Sequence, residues 1–255
     1  MPRSLARNID NCLILDGAND GVGFGDVFDR ERTEKFSYSF WMYPRDLTSA
    51  QVIIQKRNNT AAGWEIAFGT TDQRLRLILE GSNGSAILAN GPLMEKNRWY
   101  HVVITYSGNS LVAGVNYYIN GIQSDAISIQ NNLNTNISTA ENMRIGLRKD
   151  NTNDYDGMIT KIRFHTIELN QTQANNLYYN DNDEGTSMDG LYTFDEGSGG
   201  FIFNTAPGGG TATGVLAGGI AWSTFTSMKV RSLDSQARAA NTQERTKITQ
   251  ERSVG

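Results

Sequence analysis

The chain contains a single cysteine, Cys12, so no internal disulfide can staple it, and a buried, inert thiol is the expected state. Histidine is nearly as rare. With only His101 and His165 beside that cysteine, zinc sites and nucleophilic triads are all but excluded by counting. His101 is expected to be a hydrogen-bonded structural residue, and His165 has no companion ligand nearby in sequence. No apolar run approaches the roughly 18 residues of a spanning helix, which argues against membrane insertion. The opening MPRSLARNIDNCLIL has neither the apolar core nor the small-residue cleavage site of a signal peptide. Synthesis in a host cytoplasm without such a signal is therefore expected. No repeat with a period of about 20–50 residues is evident.

Negative charge dominates the body and positive charge the ends. Residues 1–11 and 228–255 hold eight Lys/Arg against four Asp/Glu, a net +4, which leaves −8 on residues 12–227. An acidic body argues against nucleic acid as its ligand, because phosphate recognition needs a cationic surface. After Met228 hydrophobicity collapses, and that segment cannot build a core of its own.

What is abundant is turn chemistry around short alternating strands. The chain has 26 glycines in 255 residues, and its apolar segments are bounded by Gly, Asn and Asp. In Trp99–Tyr106, Tyr100, Val102, Ile104 and Tyr106 share one face, while His101, Val103 and Thr105 share the other. Val115–Ile119 follows and stops at Asn120-Gly121, a dipeptide suited to the positive φ values of a tight hairpin turn. Further strands are predicted at Cys12–Leu15, Phe36–Met42, Val52–Ile54, Trp64–Phe68, Leu75–Leu79, Met143–Ile145 and Gly157–Phe164. One more strand and turn is predicted after Asp189. One short helix is predicted over Thr172–Tyr179, at a sheet edge. The pattern predicts an all-β sandwich of two antiparallel sheets over residues 12–226, with an N-terminal arm (1–11) and a polar C-terminal tail (227–255). Trp41, Trp99 and Trp222 are read as core residues.

Several motifs carry a family resemblance. Arg98–Tyr106 with Tyr117–Gly121 resembles the central hairpin of laminin-G-like, concanavalin A-like jelly rolls. Leu15–Asp20, Phe40–Pro44, Met143–Gly146 and Gly157–Leu169 resemble the opening, W-x-x-P, R-I-G and closing motifs of that superfamily, in the same order. Tyr192–Gly199 resembles the strand that usually comes first in such domains, and its place here suggests that it folds back onto the same sandwich. The resemblance implies a concanavalin A-like jelly roll of two antiparallel sheets with lectin-like binding. It also implies a calcium position at Asp20, aided by the loop that carries Asp154 and Asp156, with Asp181–Glu184 a third oxygen-rich loop. Calcium is therefore the one cofactor considered. The closing motif departs from the family at Thr160-Lys161, where acids are usual, and this weakens a family-type calcium site.

Chemistry points the same way. The glucanase branch carries an E-x-D-x-E set on one strand, and this chain has none. Glu65 stands alone on its strand and is read as a surface residue. No catalytic residue is assigned. Trp64, after the loop Asn58–Gly63, is a candidate to present its ring face to a sugar, with Tyr155 as a second ligand-binding candidate. The reading is a non-enzymatic structural or display protein of a phage virion, as capsid decoration, head fibre or tail component. Its expected partners are other virion proteins, further copies of itself through the termini, and cell-surface glycan. A bacterial carbohydrate-binding or adhesion module is the alternative, and a glycan-active enzyme is the least favoured reading.

Overall fold

The structure, a computed structural model, describes residues 11–58, 62–70, 72–182 and 187–224. Its strands are β1 (Asn11–Asp16), β2 (Gly21–Gly23), β3 (Phe36–Pro44), β4 (Gln51–Arg57), β5 (Gly63–Phe68), β6 (Arg74–Glu80), β7 (Ala86–Leu93), β8 (Tyr100–Tyr106) and β9 (Val115–Ile119). There follow β10 (Ile122–Asp125), β11 (Ile127–Asn131), β12 (Arg144–Ile145), β13 (Asp156–His165), helix α1 (Gln171–Asn180), β14 (Met188–Tyr192), β15 (Phe201–Ile202), β16 (Gly214–Ala217) and β17 (Ala221–Thr224). The arm and tail expected at 1–11 and 227–255 fall outside the described residues, except for Asn11, which opens β1 opposite Thr224. Among the described residues no helix is long and apolar enough to cross a membrane.

The strands form two antiparallel sheets. One has eight strands in the order β10-β9-β8-β3-β13-β1-β17, with β14 also paired to β13; the other has nine, in the order β11-β7-β6-β5-β4-β12-β2-β16-β15. Between them lies one aromatic-rich core. Tyr100, Val102, Ile104 and Tyr106 of β8 point into it, as the alternation predicts, against Trp64, Ile66 and Phe68 of β5 and Leu75, Leu77 and Leu79 of β6. Asn120 and Gly121 join β9 to β10 with φ of 52° and 79°, the positive pair that this tight turn requires. Cys12 lies fully buried on β1, and burial pushes its thiol pKa up to about 12.

β13 keeps its phase by a bulge. Thr160 pairs with Trp41 and Arg163 with Ser39, so Lys161 and Ile162 together face the single residue Phe40. The extra residue turns Ile162 and Phe164 inward, alongside Ile159. It leaves Lys161, at φ 50°, to pair with Asp181 at the left-handed end of α1. Arg163 donates to the same carboxylate at 2.8 Å. These two cations hold the Asp181 carboxyl below its ordinary range, although its burial alone acts in the other direction.

Helix α1 starts at a capping box, in which Asn170 accepts from Gln173 N and Gln173 accepts from Asn170 N. Its placement corrects the sheet-edge expectation. Ala174 and Leu177 pack on Val103 and Tyr118, and Tyr178 lies 5.7 Å from Trp41, so the helix covers the outward face of the eight-stranded sheet. The helix shields the apolar side chains of that face, Trp41, Val103 and Tyr118, from water. Trp41 is thus buried beneath the helix and outside the inter-sheet core, while Trp222 packs against that core only in part.

Strand β7 was hidden by its own sequence, because Asn90-Gly91-Pro92 reads as a turn. The glycine serves a close approach instead. A β-carbon there would stand 2.9 Å from the Tyr117 ring, and the Tyr117 hydroxyl takes Leu77 N–H at 2.9 Å and donates to Ala89 C=O at 2.7 Å. One buried hydroxyl from the eight-stranded sheet therefore ties together two strands of the other. Tyr117→Phe should lower stability by about 1–3 kcal/mol, read as a reduced urea midpoint with unchanged slope.

Candidate functional site

The face of the nine-stranded sheet turned away from the core is the candidate binding surface. Alternation places Gln55, Glu65, Ile78 and Leu88 on that face, and the register aligns them across β4, β5, β6 and β7. The same line continues beyond Gln55 through Arg144, Gly23, Val215 and Phe201, on β12, β2, β16 and β15. Beside it lies a cavity of about 130 Å³ lined by Gln51, Val52, Glu65, Ala67, Arg76 and Arg148 among others. It is smaller than the roughly 300–1,000 Å³ typical of small-molecule pockets, so it admits one small group and not a whole oligomeric ligand.

The charges here are organised around Arg57. Its guanidinium pairs with Glu80 and stands 3.5 Å from Glu65. The cross-strand position between Arg57 and Glu80 is Gly63, with φ 140°. A β-carbon at Gly63 would meet the Arg57 backbone at 2.4 Å, so only glycine leaves this crossing open. Arg76 is held by Asn90 at 2.7 Å and Asp72 at 3.2 Å. Arg148 is held loosely, 3.4 Å from Thr152 Oγ1 and 3.8 Å from Asp150.

Glu65 corrects the surface expectation, since it is 6% exposed. Burial raises its carboxyl above the ordinary 4.5, opposed by Arg57 and Arg148. Within the same row the Gln55 side chain is fully buried, and among the described residues neither of its polar atoms has a hydrogen-bond partner.

The two aromatic candidates are also corrected. Trp64 is 1% exposed, stacked on Tyr38 at 4.6 Å, with Nε1 donating to Phe28 C=O at 3.2 Å. Tyr155 is fully buried against Phe68. Neither presents a ring to solvent, because both positions fall on the core side of their elements. Residues 59–61 of the loop before Trp64 lie outside the described residues.

The acidic loops do meet, but their oxygens are engaged. Asp154 accepts from Asn19 N at 2.9 Å and from Arg148 N at 3.3 Å, while Asp20 accepts from Asp16 N and Gly219 N. Asp156 is bound by Arg45 at 2.7 Å. Backbone amides and a guanidinium thus already hold these carboxylates in place. The residues present do not fit a calcium ion, and among the described residues no three His, Cys, Asp or Glu converge on a metal position. In the third loop Asp181 serves the helix end, while Asp183 and Glu184 lie outside the described residues. What the Arg148–Asp156 loop does is fold on itself and carry Arg148 to the cavity; Val52 N donates to Asn153 C=O at 2.7 Å, which fixes the loop to β4.

The histidines are structural in placement. His101 packs between Trp41 and Tyr178. His165 is fully buried, and burial with nearby Arg163 and Arg30 pushes its pKa down to about 3. Sequence reasoning missed Arg57, Arg76, Arg148 and Gln55. For Gln55, Arg57 and Arg76 the available signal was the alternation of β4 and β6, which places polar residues on a face opposite apolar ones; Arg148, on a loop, had no such signal.

The pH response of Glu65 follows from its burial. Because the folded carboxyl takes up its proton at higher pH than the unfolded one, its ionisation weakens the fold as pH rises from about 4.5 through the folded value. Glu65→Gln should flatten the stability-versus-pH curve over that window, measured by urea midpoints. An unchanged slope would show that the carboxyl is not desolvated.

Against known proteins, a model of the Concanavalin A-like lectin/glucanases superfamily matches residues 16–175. Among solved structures, a candidate carbohydrate binding protein from Bacteroides ovatus ATCC 8483 superposes with TM-score 0.61 at 17% identity, over 86% of this chain and 61% of that one. A heptameric SAP-like pentraxin from Limulus polyphemus superposes with TM-score 0.58 at 16% identity, over 87% of this chain and 98% of that one. Among curated proteins, the Adhesion G-protein coupled receptor V1 of Danio rerio is 23% identical over 150 residues, 56% of this chain. The chain spans only 2% of that receptor's length.

Proposed function

Because the chain belongs to the Concanavalin A-like lectin/glucanases superfamily, we propose that it is a non-enzymatic glycan-binding module whose ligand lies on the outward face of its nine-stranded sheet. The observation that carries this reading is the Arg57 bridge. A retaining glycosidase needs two carboxyl groups roughly 5–5.5 Å apart flanking the scissile bond. Here a guanidinium pairs with both Glu65 and Glu80 and occupies the position a sugar would need between them. Binding is left as the chemistry of the face. Apolar Val52, Ala67 and Ile78 beside Gln51, Asn153 and Arg148 combine the flat contact and directed hydrogen bonds that a sugar ring requires. Similarity to a candidate carbohydrate binding protein supports the same reading.

A glycan array probed with the full chain should give binding without release of reducing sugar. The double variant Arg148→Ala/Ile78→Asp should abolish that binding while keeping the melting temperature within a few degrees. Hydrolysis that is lost on Glu65→Gln would overturn the reading.

Two settings for such a module are proposed. Virion display rests on the basic composition of residues 228–255, at six Lys/Arg against three Asp/Glu, which suits an anchor to an acidic partner. Deleting 228–255 should then leave a folded glycan binder that no longer joins its assembly. An adhesion module is the second setting, supported by the match to an adhesion receptor.

A further inference from the structure

Resting on the glycan-binding reading, we propose that the ligand is an extended, acid-bearing polysaccharide that lies along the cross-strand row from the Glu65–Arg148 cavity to Phe201. The row gives the track its length. From β5 to β15 the strand order runs through β4, β12, β2 and β16, five spacings, or about 24 Å of sheet surface. The cavity at one end admits a single group, so the rest of a chain seated there lies outside it, toward the exposed end of the row at Val215 and Phe201.

The far end is apolar and exposed. Phe201 and Val215 form a cross-strand pair, 53% and 51% exposed, and Phe203 is 51% exposed on the far side of buried Ile202. Aromatic faces at the end of a polar track suit the C–H face of a sugar ring. The middle is kept clear by Gly23, where an added β-carbon would have nothing within 4 Å. A side chain there would fill the track, and its absence leaves a trough between Arg144 and Val215.

Charge selects the ligand class. Arg144 joins no ion pair among the described residues and donates only to Asn142 C=O at 3.0 Å. Arg148 stands 3.8 Å from its carboxylate. Two guanidiniums with donors to spare flank the track of an otherwise acidic body, and they match carboxylate or sulfate groups on a polysaccharide.

The test titrates the full chain with oligosaccharides of increasing length: polyuronates, sulfated chains, and neutral chains of matched length. Affinity should rise with length for at least one acidic series and fall as salt increases. Arg144→Gln and Phe201→Ser should each weaken the longest acidic ligand about tenfold or more. Gly23→Leu, which blocks the trough where there is open space, should do the same without lowering the melting temperature. Lys35→Gln, a charge-matched change on an exposed residue of the other sheet's entry, should have no effect. The polyuronate and sulfated arms identify which acid is read. Equal binding of neutral chains, or indifference to Gly23→Leu, would overturn this inference while leaving glycan binding standing. Absence of binding to any series would overturn the underlying reading as well.

Discussion

Register governs the rest of this molecule, because one residue of slip in a β-strand exchanges its two faces. In β5, Trp64, Ile66 and Phe68 fill the core while Glu65 and Ala67 form the outer face. The same alternation in β4 and β6 aligns Gln55, Glu65 and Ile78 into a row that no single strand encodes. Core and binding face are thus two readings of one pattern. Where the pattern falls out of phase, a bulge restores it, as Lys161 does in β13. The residue released by that correction then anchors the helix that covers the outward face of the same sheet.

Charge is placed by the same logic. The body is acidic overall, yet its outer sheet face carries guanidiniums at Arg57, Arg76, Arg144 and Arg148. Some are committed to neighbouring carboxylates and some are not. Arg57 bridges two glutamates across a glycine, and a side chain at that glycine would close the gap. The arrangement pairs Glu65 and Glu80 with one guanidinium and leaves Arg144 and Arg148 more loosely engaged. Buried ion pairs are poor stabilisers in general, so these groups are better understood as shaping a face than as strengthening a fold.

The fold was legible in the sequence where alternation was clean. Tyr100–Tyr106, the Asn120-Gly121 turn and the helix near residue 172 all announce themselves through period and turn chemistry. The resemblance motifs up to Leu169 fall in the region matched by the superfamily, and Tyr192–Gly199 lies beyond it. Strands β10, β11 and β15 were not legible, since short or exposed strands carry little apolar signal. β7 was masked by Asn-Gly-Pro, whose turn preference yields to the packing of Tyr117. The candidate site was less legible still. Trp64 and Tyr155 drew attention as aromatics near loops, but which side of the sheet each takes depends on partners far away in sequence. Arg148 and Arg144 were invisible because a guanidinium on a loop or a two-residue strand has no pattern of its own.

Burial of Cys12 has a practical consequence. The lone thiol sits on β1, which is paired on one side with β13 and on the other with β17. A reagent can reach it only after a fluctuation that uncovers it. Alkylation under native conditions therefore counts those openings one molecule at a time, with no engineered label. If closing outruns the reagent, the rate reports the free energy of opening, and if it does not, the rate reports how often β1 lifts away. The molecule carries its own clock for the opening of its structure around β1.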